Sequence, residues 1–320
     1  MVATLPDSVD AKNKFEDLSG VDITKYENPY DALIEASRQL TQFIVLIITY
    51  IQAQIQARYE THRVTRNAQQ KAKIIAPDFE DLLIDPILKK LEDPSIEPGF
   101  MDPRNCLVFW ARPPGHIRDL VGRAQQELRK VAPHLWLMPL QNLHLTALEL
   151  CHSLTFPETE AIVSSLGSPA YTEMTDYTLT HRARLIKPTL SYDTAAIALS
   201  FLPAAGKEED NFTYHHLRRD LFSIAKRAGV QVDSRYVVPS SHITIGRFLG
   251  QGDHDSIEKR KAWMEKIEEV NVWLEKEFWP SNGEDEEGFE WVVGMEKGLD
   301  FRQGTLWYGG GETIRLGKGF

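Results

Sequence analysis

Two short stretches of this chain place a threonine two residues after a histidine: Leu143-His-Leu-Thr-Ala147 and Ser241-His-Ile-Thr-Ile245. Histidine titrates near neutral pH, so one imidazole can accept a proton while a second, already protonated, donates one. Placed across a phosphodiester, two imidazoles form a complete acid–base pair. One takes a proton from water or a ribose hydroxyl, and the other protonates the departing oxygen. A hydroxyl beside each can donate to a non-bridging phosphate oxygen, where charge accumulates in the transition state. His144 and His242 are therefore the catalytic candidates, and Thr146 and Thr244 the candidates for holding phosphate. This chemistry requires no metal and no cofactor, and the sequence offers none of the usual ligand sets.

A lone His-x-Thr carries no information, since composition alone yields about half a match in such a chain. The weight comes from the elements around the pair. On a strand, side chains alternate between faces. A strand over Leu143–Leu150 puts His144 and Thr146 on one face and Leu143, Leu145 and Ala147 on the other. A strand over Ser241–Phe248 puts His242, Thr244, Gly246 and Phe248 together, opposite Ile243 and Ile245. Each is preceded by the same series. The first unit has a strand at Asn105–Ala111, a helix over about His116–Val131, then Pro139 ahead of His144. The second has a strand at Ala195–Leu202, a helix over about Phe212–Ala228, then Pro239 ahead of His242. Such a duplication outweighs either motif alone. It predicts an α+β fold of two pseudo-symmetric lobes, each a mainly antiparallel sheet flanked by helices, with both pairs facing one cleft.

The first hundred residues read differently. Asn28-Pro29 marks a helix start. The apolar run Phe43–Ile51 is too short for a membrane span, which needs roughly 20 residues, so it reads as a core helix or buried segment. Its poor fit to its polar neighbours also admits translated non-coding sequence over Leu40–Gln54. Gln56–Ile75 favours a helix, Asp78–Leu91 a short helix with Pro86 inside it, and Asp93–Pro103 a proline-rich linker. The expected division is a helical extension over 1–101 and a two-lobed domain over 102–320. The lobes cover about 102–170 and 171–320, with strand exchange between them left open. Between the units, Tyr177–Ser191 reads as one or two strands with a basic stripe. The tail reads as a charged helix over His254–Glu277, an acidic loop at Gly283–Gly288, and strands at Glu290–Val293, Thr305–Tyr308 and Glu312–Leu316.

Over 320 residues the net charge is -10, with a pI of about 5.5. A protein that grips long nucleic acid usually has a basic face, so the expected partner is a small nucleotide or an RNA 3′ end held in a locally positive cleft. Two cysteines, Cys106 and Cys151, exclude a disulfide scaffold and a cysteine-rich zinc site. The start of the chain lacks a basic patch followed by an apolar run, so the expected location is cytoplasmic or nuclear, away from membranes.

The two His-x-Thr strands resemble the signature strands of the two-histidine phosphoesterase superfamily, which holds bacterial 2′-5′ RNA ligase-like proteins and cyclic nucleotide phosphodiesterases. Asn105-Cys-Leu-Val-Phe-Trp-Ala-Arg-Pro-Pro114 and Leu306-Trp-Tyr-Gly-Gly-Gly311 are similar to its fungal branch, and the likeness covers about Asp102–Phe320. The resemblance implies a bilobal fold with a central cleft. It also implies catalytic roles for His144 and His242, phosphate contacts for Thr146 and Thr244, and a cyclic or 2′-linked nucleotide as substrate. The base and acid roles stay interchangeable between the histidines. A nucleotide-binding module without turnover and a 2′-5′ RNA ligase are the competing readings.

Weaker candidates surround the pair. Phe248, read on the histidine face, could stack on a base, and Tyr308 in the Trp307–Gly311 stretch could approach a nucleotide. Both have a plain structural alternative, a core ring and a turn between strands. Arg182, Arg184 and Lys187 read as a solvated strand edge before a phosphate rim. Of the neighbours His215 and His216, at least one is expected at the surface. Tyr192, Ser240 and Arg247 carry no argument from sequence.

Overall fold

A computed structural model describes residues 16–39, 47–280 and 289–320. The N-terminal segment contributes α1 (Asp31–Gln39), α2 (Ile47–Ile74) and α3 (Pro86–Glu92). The start signal at Asn28 forms a turn ahead of α1, with the Asp31 amide donating to the Asn28 carbonyl. Pro86 does not interrupt α3 as expected. It is the first helical residue, and the Asp85 carboxylate accepts from the amides of Ile87 and Leu88, the arrangement in which proline's missing N–H does no harm. The apolar run Phe43–Ile51 begins within 40–46, which lie outside the described residues; its remainder opens α2. The acidic loop Gly283–Gly288 and the start of the chain also lie outside.

The rest alternates strands and helices: β1 (Asn105–Ala111), α4 (Gly115–Arg129), β2 (Trp136–Leu137), β3 (Leu145–Leu154), α5 (Phe156–Asp176), β4 (Arg184–Tyr192), β5 (Ala196–Pro203), α6 (Tyr214–Arg227), β6 (Ser241–Arg247), α7 (Ile257–Phe278), β7 (Trp291–Val292), β8 (Leu299–Gly304) and β9 (Glu312–Leu316). Helix α5 goes unread in the sequence because its pattern breaks at Gly167, which adopts φ 72°, two residues before Pro169. Glycine takes that left-handed backbone without the clash a Cβ brings. The predicted strand at Thr305–Tyr308 is a turn, and the strand lies upstream as β8.

Every strand pairing among the described residues is antiparallel, in the order β7-β4-β5-β6-β3-β1-β8-β9, with β2 on β6. The fold is α+β. The two expected sheets are two four-stranded halves of one sheet, meeting edge to edge where Leu145 of β3 pairs with Ile243 of β6. From that seam each half runs outward in equivalent order: β3, β1, β8, β9 on one side and β6, β5, β4, β7 on the other. Elements cross between the halves. The C-terminal strands β8 and β9 complete the first half. Helix α4, which follows β1, packs on β6 of the second half, while α6, which follows β5, packs on β3 of the first.

The core is continuous through the seam. Leu145, Ala147, Ile243 and Ile245 are each 0–1% exposed, as alternation requires for the face opposite the histidines. Tyr30, Leu33, Ile55 and Tyr59 of the N-terminal segment pack into the same cluster. Helix α2 lies along β4 and β5, with Arg63 and Asn67 donating to the carbonyls of Lys187 and Leu190. No helix among the described residues is long and apolar enough to cross a membrane.

Candidate functional site

Each His-x-Thr strand carries a bulge directly after its threonine. On β3, Thr146 pairs with Trp110 and Leu148 with Phe109, leaving Ala147 as the extra residue. On β6, Thr244 pairs with Ala198 and Gly246 with Ile197, leaving Ile245 extra. A bulge advances the alternation by one residue. The cleft face therefore carries His144, Thr146 and Glu149 from one strand and His242, Thr244 and Arg247 from the other. This shift corrects the placement of Phe248. Strict alternation puts it beside His242, but the bulge turns it into the core, 2% exposed and edge-on to His254 and Trp263. Arg247 takes the cleft position instead.

The seam fixes how the pairs face each other. Continuing the Leu145–Ile243 register by one residue each way sets His144 opposite Thr244 and Thr146 opposite His242. The histidines are diagonal neighbours on one face, a relation that separates residues by about 7–8 Å in a regular ladder, with Cβ atoms somewhat closer. They line adjoining depressions. One is lined by His144, Thr146, Thr244 and Arg247; a narrow one by Thr146 and His242; and a wider one by His242, Thr244 and Arg247. Tyr236 borders all three.

Both imidazoles are held through Nδ1. His144 sits just ahead of β3, after a 3-10 turn at Leu140–Asn142, and its Nδ1 donates to the Asn142 carbonyl at 2.8 Å. A carbonyl can only accept, so the proton resides on Nδ1 and Nε2 remains to act. The ring stacks on Trp110, centroids 3.8 Å apart and 16° from parallel. Asn142 is itself backed by Gly309, at φ 84°, where an added Cβ would lie 2.4 Å from the Asn142 Cβ. His242 Nδ1 meets the Ser240 hydroxyl at 2.9 Å, a partner that can donate or accept. Burial holds both imidazoles below their ordinary 6.5. His144 falls to about 3, with Arg112, His242 and Arg302 adding to the effect against the Asn142 carbonyl. His242 falls to about 4, with Arg66 and Arg218 adding and Asp193 opposing.

Cations concentrate here despite the acidic chain. Arg235 makes a double contact with buried Glu149 and lies 4.0 Å from the Trp307 ring centroid. Arg112 pairs with Asp300 and lies over Trp110. The Nε of Arg247 has no hydrogen-bond partner among the described residues. Beneath the cleft Arg218, 1% exposed, donates to the Val238 carbonyl at 2.8 Å and the Tyr30 hydroxyl at 3.1 Å. Among the described residues its hydrogen bonds go only to neutral groups, and a buried cation so held favours an anion nearby.

The other candidates resolve as follows. Tyr308 is not among the residues lining the depressions; its hydroxyl bonds Asp85 and accepts from Arg104, and its neighbour Trp307 reaches the cleft. Arg184 bridges Asp210 and Glu290, Arg182 lies over Phe320, and Lys187 lies near Trp279. His215 is buried, and His216 is partly exposed. His215 Nε2 donates to the Tyr30 carbonyl, so its Nδ1 accepts from the Tyr59 hydroxyl, and half-buried His216 meets Thr213 at the start of α6. Cys106 and Cys151 are free and buried, their thiols pushed up to about 12 by burial. Among the described residues no three His, Cys, Asp or Glu side chains cluster to hold a metal. Sequence reasoning missed Arg247, Ser240 and Tyr236. The spacing from Thr244 to Arg247 carries a signal only once the bulge is known.

No protein-family model matches the sequence, and no curated protein matches it. Among solved structures the chain is similar to the conserved protein of unknown function ATU0111 from Agrobacterium tumefaciens str. C58, at 14% identity and a TM-score of 0.44, over 68% of this chain and 88% of that one. It is also similar to TT0787 of Thermus thermophilus, at 18% identity and a TM-score of 0.36, over 66% of this chain and 96% of that one.

Proposed function

We propose that this protein is a metal-independent phosphodiesterase acting on a cyclic or 2′-linked nucleotide phosphodiester, with nucleoside 2′,3′-cyclic phosphates or RNA ends as substrates. The observation that carries the reading is the diagonal arrangement of two His-x-Thr pairs across the β3–β6 seam. The resemblance of those strands to two-histidine phosphoesterases also supports it.

The chemistry balances without another reagent. A neutral imidazole removes a proton from water as the water oxygen bonds to phosphorus. The bond from phosphorus to one ribose oxygen breaks, and the second imidazole, protonated, delivers its proton to that oxygen. Thr146 and Thr244 donate to the non-bridging oxygens. Burial makes both imidazoles resist protonation. The anionic substrate opposes that resistance, so the acid is charged most readily in the complex.

The test is turnover of 2′,3′-cyclic nucleotides by the full chain with a chelator present. His144→Ala and His242→Ala are each expected to reduce kcat by about 10²–10⁴-fold, the usual worth of one general acid or base, with an unchanged circular dichroism spectrum. Activity retained in either variant overturns the mechanism. Nucleotide binding by the unaltered chain without product would instead identify a binding module.

A further inference from the structure

The two halves of the cleft are equivalent in backbone and unequal in space. Trp110 pairs with Thr146 on the first side, and the corresponding partner of Thr244 is Ala198; Val108 pairs with Glu149, and the corresponding partner of Arg247 is Ala196. On the first side Cys106, Val108, Trp110 and Leu306 pack into a small cluster against Trp307, leaving little room beyond His144. On the second side two alanines and Ser200 form the floor, and the depression stays open.

Its outer wall comes from the N-terminal segment. Tyr59, His62, Arg63 and Arg66 of α2 line the depression that holds His242, Thr244 and Arg247. Arg63, the more deeply buried of the two arginines, donates to the Lys187 carbonyl and lies over the Trp279 ring. Arg66 is half-buried and places one guanidinium nitrogen 2.7 Å from Asp193. That carboxylate also accepts from the amides of Ala195 and Ala196, and Ala196 is the ladder partner of Arg247. Arg66 and Arg247 thus border one depression, linked through Asp193 and Ala196. A guanidinium has five donors in a planar fork suited to phosphoryl oxygens, and the Asp193 contact occupies only part of it.

We propose that this depression is a second anion subsite, in which Arg66 of α2 and Arg247 of β6 hold a further phosphoryl group of the substrate, so that the preferred substrate is a nucleotide phosphorylated away from the scissile diester. This inference rests on the phosphodiesterase reading and names its substrate class. It also gives α2 a role in the site: the helix closes the half of the cleft that the small side chains of β5 leave open.

Calorimetry on the full chain tests it with two product-like ligands, adenosine 3′-monophosphate and adenosine 3′,5′-bisphosphate. The bisphosphate is expected to bind about tenfold more tightly, the scale of one charge-assisted contact. Arg66→Gln is expected to collapse the ratio of the two affinities to near one, and Arg66→Lys, which keeps the charge, to restore part of it. A misfolded variant would not return the ratio on restoring charge. Equal binding of the two ligands by the unaltered chain, or a ratio that survives Arg66→Gln, overturns the subsite and leaves the phosphodiesterase reading standing. Binding of neither ligand also overturns the subsite, whereas the phosphodiesterase reading falls only if cyclic nucleotides are not turned over.

Discussion

The halves on either side of the seam share strand order, bulge position and a proline ahead of the histidine, yet they hold their signature strands by different means. In the first repeat unit, Gln125 of α4 donates to the Met138 carbonyl, just before Pro139, and across the seam to that of Ile245 on β6. In the second repeat unit, Arg218 of α6 donates to the Val238 carbonyl, just before Pro239. One tie is neutral and the other is a buried cation that also bonds Tyr30 ahead of α1. The second unit is therefore tied to the N-terminal segment through a buried cation. The proposed reaction needs both imidazoles in matching places but only one side to receive the bulk of a substrate, and the two sides differ there in side-chain size.

The largest expected effect comes from cutting the charged tie. Arg218→Met leaves the Val238 carbonyl and Tyr30 hydroxyl without their donor and is expected to destabilise the fold by about 3 kcal/mol, against about 1 kcal/mol for Gln125→Ala. Urea unfolding of both variants measures the difference, and equal losses would erase the distinction between the ties. Next is an attempt to make the halves alike. Ala198→Trp copies Trp110 onto the open side and is expected to lower kcat/KM for a cyclic nucleotide by about 100-fold, the size of an overpacking penalty. Turnover undisturbed by that indole would mean that substrate does not enter the second side.

The alternation of apolar residues and the strand–helix–strand repeat made the doubled α+β architecture legible, because burial of one sheet face leaves that period in the sequence. His144, Thr146, His242 and Thr244 were legible for the same reason. What lay beyond each threonine was not. The bulges at Ala147 and Ile245 depend on pairing with β1 and β5, which no local pattern encodes, so Phe248 was assigned the place that Arg247 occupies. The role of α2 in the cleft was hidden as well. Arg63 and Arg66 sit in a polar helical stretch whose spacing says nothing about the strand it will meet. Trp307 and Tyr308 were separated only by the turn at Leu306–Gly309, whose contact with Asn142 is tertiary.

That turn gives a smaller expected effect on the filled side. Gly309→Ala demands both a left-handed backbone and a Cβ inside the space of Asn142, whose carbonyl fixes the His144 tautomer. A loss of about tenfold in kcat is expected, from a displacement worth about 1–2 kcal/mol. Steady-state kinetics checks it, and an equal rise in KM with kcat unchanged would place the effect on binding.

The smallest effect tests the charges that face His242. Arg66, Arg218 and His62 disfavour its protonated form and Asp193 favours it, within a fall to about 4 that burial dominates. Removing the positive charge in Arg66→Gln makes protonation easier, so the imidazole should titrate at higher pH. Asp193→Asn should move it lower. The fold follows the same sign. A histidine whose value is 6.5 in the unfolded chain and about 4 when folded imposes no penalty above 6.5. Stability drains away as pH falls from there through 4, because the unfolded chain binds the proton first. Arg66→Gln narrows that window, and Asp193→Asn widens it. Proton NMR titration of the His242 ring in the two variants reads the opposed shifts directly. Shifts of the same sign would place Arg66 and Asp193 too far from the imidazole to act on it as opposite charges, and the α2 wall would then lose its electrostatic part in setting the open half apart from the filled one.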